Sequence, residues 1–192
     1  MTVNTIAATG SEYDNSAVIS NIETNEKLPL ASDLLWPVVS FIDPAYTITV
    51  PARQTVAGSC DTMSHFMEQY FVKDISPVAE GLIEGILRTV IRNTPVVLEN
   101  PGDLDARSEL LWASTLGCNG IAALGSQASG WPCHAIEHDI THGIGLAFLT
   151  SRLLRYFLEK APEFLDRFAG FAERVEKHWF APLEAFPVPF TR

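Results

Sequence analysis

The segment Trp131-Pro-Cys-His-Ala-Ile-Glu-His-Asp-Ile-Thr-His-Gly143 sets His134, His138 and His142 at steps of four residues. Residues four apart stand one above another on the same side of a helix. Far upstream, Asp61 and His65 repeat that spacing within Asp-Thr-Met-Ser-His. Four of the five histidines and one aspartate therefore fall in two helix-compatible clusters, and the working expectation is that both meet at one divalent metal ion.

Each cluster also has a plainer reading. Asp61 and His65 alone are compatible with an acid near a helix N-terminus and a surface histidine, although Met63, Phe66 and Met67 around them argue for partial burial. The histidine row is compatible with a solvated polar helix face. Geometry limits the metal reading too: on one unbroken helix His134 and His142 stand ~12 Å apart, too far to share an ion. Either one adjacent pair chelates, or the helix breaks near Asp139-Ile-Thr and His142 returns as a separate ligand. One carboxylate oxygen with two or three imidazoles suits Fe(II), Zn(II), Co(II) or Ni(II) and disfavours calcium or magnesium. With an open position such an ion acts as a Lewis acid on an alcohol or carbonyl oxygen.

The remaining composition narrows the class. The chain has 192 residues, 47% apolar and 19% charged, enough to bury a core. A formal charge of −10 with no basic cluster opposes binding to nucleic acid or anionic membranes. The apolar runs fall short of the ~18 residues of a membrane span, and the N-terminus lacks the pattern of a signal peptide. Three scattered cysteines (Cys60, Cys118 and Cys133) form neither a disulfide framework nor a CxxC pair, in keeping with a reducing cytoplasm. Cys60 and Cys133 read as small core residues.

Residues 1–50 suggest short strands: Ala17 to Ser20 and Lys27 to Leu30 flank a polar loop, and Val38 to Ile42 precedes Asp43-Pro44. Thr9-Gly10-Ser11-Glu12 is a turn that could also admit a ligand close to the backbone. From residue 52 the pattern is helical. Helices are expected over Gly58–Val72, from Ser76-Pro77 to Pro95 or a little past it, over Asp105–Ala123, over Leu146–Leu158 and over Pro162–Lys177. Residues 100–103 and 125–130 read as loops, and His178 as having no role in the site. The segment 179–192 reads as an irregular tail.

Taken together, Thr5-Ile-Ala-Ala-Thr-Gly-Ser-Glu12, Ile42-Asp-Pro44, Thr55 to His65, Cys133 to His138 and Asp139 to Gly143 resemble the iron-containing (group III) alcohol dehydrogenases, in particular their butanol-dehydrogenase-like branch. The resemblance implies a mainly α chain. Residues 51–178 would be the all-helical metal-binding domain of the dehydroquinate-synthase-like fold, and residues 1–50 a strand-containing remnant of the α/β nucleotide-binding domain. It implies Asp61, His65, His134 and His142 as metal ligands, His138 as the residue that helps move the alcohol's proton, and Thr5 and Thr9 at the nicotinamide end of NAD(P). The ion would be Fe2+, with Zn2+ the alternative, and the substrate a small primary alcohol or aldehyde. A bare domain interface also leaves room for a homo-oligomer.

Two departures from the family pattern shape the expectation. The chain begins about where the family's nucleotide domain is ending, without the glycine-rich pyrophosphate loop. Asp139 also follows His138 directly, as if a short deletion had removed the turn that aims His142 at the ion. A truncated or degenerate copy, without dehydrogenase turnover of its own, is therefore expected. The alternatives are a non-catalytic helical module that binds a metal or a partner and, with less behind it, a metal-dependent hydrolase.

Overall fold

Apolar side chains recur at helical spacing from residue 52 onward, and there the chain is helical. The computed structural model describes residues 1–24, 26–72, 74–124, 133–137, 141–160 and 165–175. Its helices are α1 (Ala52–Tyr70), α2 (Pro77–Glu99), α3 (Leu104–Thr115), α4 (Cys133–Ile136), α5 (His142–Lys160) and α6 (Leu165–Arg174). Ser76 caps α2 by accepting from the Ala79 amide at 3.1 Å, with Pro77 at the first helical position. Asp103 caps α3 in the same way, accepting from Ala106. The core joins Phe66, Met67 and Tyr70 of α1 to Ile83, Leu87 and Val90 of α2, with Leu110, Leu146 and Phe171 closing it from α3, α5 and α6. Burial of each such side chain contributes about 1.5–3 kcal/mol.

The first fifty residues form two separate two-stranded sheets. Strand β1 (Thr2–Asn4) pairs in parallel with β4 (Ser40–Ile42), Val3 opposite Phe41. Strands β2 (Ser16–Asn21) and β3 (Glu26–Ala31), the short strands expected on either side of the polar loop, pair as an antiparallel hairpin, Ile19 opposite Leu28. Polar contacts fasten this region to the helices. The Thr62 hydroxyl donates to the Ala8 carbonyl at 3.0 Å. Buried Glu12 meets the Thr115 hydroxyl, so the Thr9–Glu12 turn is an anchoring turn. The buried Arg107 guanidinium donates to Thr47 Oγ1 and to the Ile48 carbonyl.

Several boundaries differ from expectation. The helix expected over Asp105–Ala123 ends at Thr115. The amides of Leu116 and Gly117 bond back to Ala113 and Ser114, a tightened last turn, and left-handed Gly120 (φ 79°) precedes a separate 3₁₀ turn at Ile121–Ala123. Helix α2, by contrast, ends where expected, a little past Pro95 at Glu99. The helix expected over Pro162–Lys177 is described only at Leu165–Arg174. The loop at 125–130 and the tail at 179–192 lie outside the described residues. Among the described residues, no helix is long and apolar enough to cross a membrane.

Candidate metal centre

Helix α1 presents Asp61 and His65 one turn apart, with Asp61 buried to 3% exposure. The histidine-rich segment is not one helix. His134 sits in the short α4, and α5 starts afresh at His142. Of the two geometries open at the sequence level, the structure therefore has the broken one. Where α5 begins, Gly143 lies against α1 so closely that an added Cβ would come within 1.8 Å of the Ala57 carbonyl oxygen. That backbone approach carries His142 to the face of α1 that bears Asp61 and His65. The sequence leaves open whether His142 still reaches Asp61 after the missing turn; in the structure its Nε2 lies 3.4 Å from Asp61 Oδ1.

Asp61 Oδ1 also lies 3.5 Å from Nε2 of His65 and 3.5 Å from Nε2 of His134. Single ligand atoms of Asp61, His65 and His134 all fall within 4.8 Å of one another, and His142 adjoins Asp61 beside them. The His65 and His134 rings stack with centroids 4.1 Å apart. Among the described residues, Asp61 Oδ1 and both ring nitrogens of His134 are buried without a partner at hydrogen-bond geometry. Separations of 3.4–3.5 Å exceed ordinary hydrogen bonds. They match the roughly 3.3 Å between neighbouring ligands of a tetrahedral ion with ~2.0–2.1 Å bonds. An oxygen and imidazole donor set in this arrangement could hold one first-row divalent cation.

The charge state without metal follows from burial and proximity. Burial works to raise the Asp61 carboxyl, but the polar contact with His134 and the electrostatic influence of the neighbouring imidazoles outweigh it, so it stays below its usual value. Burial, then His134, lowers His65 to about 4. Burial also works against a charged His134, yet Asp61 and Glu68 raise it to about 9. An aspartate–imidazolium pair beside a neutral His65 therefore describes the metal-free centre at neutral pH.

Three further residues touch the imidazoles and were not singled out from the sequence as part of this site. Glu68 Oε1 accepts from the His134 amide at 2.9 Å and lies 2.8 Å from its Nδ1. Its place one turn beyond His65 on the same face was readable. Glu137 meets His142 Nδ1. Cys118 Sγ lies 3.2 Å from His65 Nδ1, a contact made across the fold that no local spacing announces. Of the cysteines read as core residues, Cys133 is fully buried and Cys60 partly so. Thr5 and Thr9 are exposed, on the segment that packs through Ala8 against α1. His138 lies outside the described residues.

Comparison with known proteins gives a consistent result. The family model described as Fe-containing alcohol dehydrogenase family, C-terminal, matches residues 55–177. NADH-dependent butanol dehydrogenase A of Clostridium acetobutylicum is 45% identical over 178 residues, covering 89% of this chain and 45% of that relative. The NADPH-dependent aldehyde reductase YqhD of Escherichia coli is 35% identical over 175 residues, again 89% of this chain and 45% of the relative. Among solved structures, NADH-dependent butanol dehydrogenase A from Thermotoga maritima superposes with a TM-score of 0.84 at 38% identity, covering 90% of this chain and 44% of that one. The chain thus spans less than half the length of these relatives.

Proposed function

The chain belongs to the iron-containing alcohol dehydrogenase family, and on that premise we propose that it carries the metal-binding half of an NAD(P)-linked oxidoreductase. The reaction would interconvert a small primary alcohol and its aldehyde. Asp61, His65, His134 and His142 would hold the divalent cation, Fe2+ ahead of Zn2+. The observation that carries this reading is the convergence of three imidazole Nε2 atoms on one buried Asp61 oxygen that has no hydrogen-bond partner among the described residues. The bound cation would supply Lewis acidity towards the substrate oxygen. Asp61 stays ionised beside the imidazoles and is ready to ligate. His138 would take up and pass on the alcohol's proton. Thr5 and Thr9 would lie against the nicotinamide; their exposure leaves them open to it. Residues 1–50 would belong to the cofactor side and 51–178 to the metal-binding side. Three free cysteines support a cytoplasmic setting.

A second reading keeps the metal and drops the redox step: a helical module that binds metal and a partner, or a second copy of itself. The exposed apolar side chains Val18, Ile22, Leu34 and Val38 favour it. One experiment separates the two. The purified chain is loaded anaerobically with Fe2+ or Zn2+, its metal content measured, and NAD(P)H titrated by nicotinamide fluorescence. Metal with nucleotide binding supports the dehydrogenase reading, and metal alone supports the module. No metal uptake by the wild-type chain, or uptake unaffected by Asp61→Ala, removes both.

A further inference from the structure

The imidazoles of the centre have different neighbours: Cys118 Sγ stands 3.2 Å and 3.3 Å from the two ring nitrogens of His65, whereas Glu68 lies at Nδ1 of His134 and Glu137 at Nδ1 of His142. Glu137 is the most enclosed of the three neighbours, at 3% exposure. Its Oε2 meets His142 Nδ1, and the ammonium of Lys27, on β3, lies 3.4 Å from that same oxygen. The other oxygen, Oε1, is buried with no hydrogen-bond partner among the described residues.

The space for this carboxylate is made by a glycine. On the first turn of α5, a Cβ at Gly145 would fall 2.7 Å from both Cγ and Oε1 of Glu137. A methyl group there would expel the side chain from its place. Burying a carboxylate is costly unless it is paired and bonded. Here its partners are one ring of the candidate centre and one lysine from the hairpin. A ligating histidine ordinarily gives its second N–H to a carboxylate or carbonyl, which sets the tautomer and aims the other nitrogen at the ion.

We infer that Glu137 is the positioning residue of His142: it accepts the Nδ1–H, turns Nε2 towards Asp61, and is itself held by Lys27 and by the gap at Gly145. This rests on the proposed metal-binding reading and extends it. It makes the β2–β3 hairpin a contributor to the centre through Lys27, although the hairpin supplies no ligand. It also explains how His142 joins the set from a separate helix.

The test uses the full chain with Co2+ as probe. Affinity is measured by competition with a chromophoric chelator, and the visible spectrum of the bound ion is recorded. The tautomer of His142 is read from long-range 1H–15N NMR on the metal-free chain. Glu137→Ala is expected to weaken Co2+ binding about 10–100-fold, to alter the visible bands and to release His142 from the Nδ1–H form. Glu137→Gln, whose amide oxygen still accepts, restores that tautomer and part of the affinity. Gly145→Ala follows Glu137→Ala, and Lys27→Met gives a smaller loss. Unchanged Co2+ affinity and spectrum in folded Glu137→Ala, or a His142 tautomer indifferent to it, overturns the inference. Should the wild-type chain take up no Co2+, the metal reading itself fails, and the tautomer alone then decides whether Glu137 orients His142.

Discussion

On α1 and α2, Phe66, Tyr70, Ile83 and Leu87 are wholly buried, whereas on β2 and β3 Val18, Ile19 and Leu28 each leave more than half their surface exposed. The two regions are held by different forces. The helices bury a continuous apolar core, the dominant favourable term in folding. The first fifty residues are tied on by discrete polar contacts: Thr62 to Ala8, Thr115 to Glu12, Arg107 to Thr47 and Lys27 to Glu137. A neutral contact of this kind is worth about 0.5–1.5 kcal/mol net, and a hydrogen bond to a charged group about 1.5–3 kcal/mol. Rigidity at the candidate centre therefore comes from the helical side, and the strand region follows it.

Truncation in the two regions should show the contrast at its widest. Phe66→Ala is expected to cost about 3–5 kcal/mol in urea unfolding, because it empties the centre of the core. Next, Asp61→Ala should weaken divalent-metal binding by more than about a hundredfold, beyond the 10–100-fold typical of outer-shell changes; a smaller loss in chelator competition would mean the ion is held elsewhere. Gly143→Ala drives a methyl group against the Ala57 carbonyl and should cost about 1–3 kcal/mol. It should also reduce metal affinity, since α5 carries His142; stability lost without affinity would uncouple that contact from the centre.

A smaller effect is expected at Tyr70, whose hydroxyl donates to Glu84 at 2.8 Å and accepts from Arg174. Tyr70→Phe should cost about 1 kcal/mol. Burial, then the bond to Glu84, raises the Tyr70 phenol above its ordinary value. Above roughly pH 10 the unfolded chain therefore releases a proton that the native chain keeps, and stability falls as pH rises. The Phe variant should lose less stability over that range, as followed by unfolding at a series of alkaline pH values. Last, Phe41→Ala on β4, where Phe41 is 51% exposed, should stay within about 0.5 kcal/mol of wild type. A cost approaching that of Phe66→Ala would end the distinction between the regions.

Much of the helical half was legible because its signals are local. Ser76-Pro77 announced the start of α2, and the spacing of Met63, Phe66 and Met67 announced the buried face of α1. The end of α3 was misjudged because apolar residues continue beyond Thr115, while the turn at Leu116 and Gly117 depends on backbone bonding that periodicity does not report. At the centre, the donor types and the Asp61–His65 turn were readable. Glu68 was readable on the same helix but went unread. Cys118 and Lys27 were out of reach, since each meets its imidazole or carboxylate only after distant segments pack.

Residue order alone named the candidate donor groups and placed Asp61 and His65 on one helical turn, because a helix repeats every few residues whatever surrounds it. It left open whether His142 belongs with them. That was decided by the packing of α5 on α1 at Gly143 and by the broken helix before it. Local spacing governs neighbours along a helix, whereas a meeting across some eighty residues depends on how two backbones close upon each other.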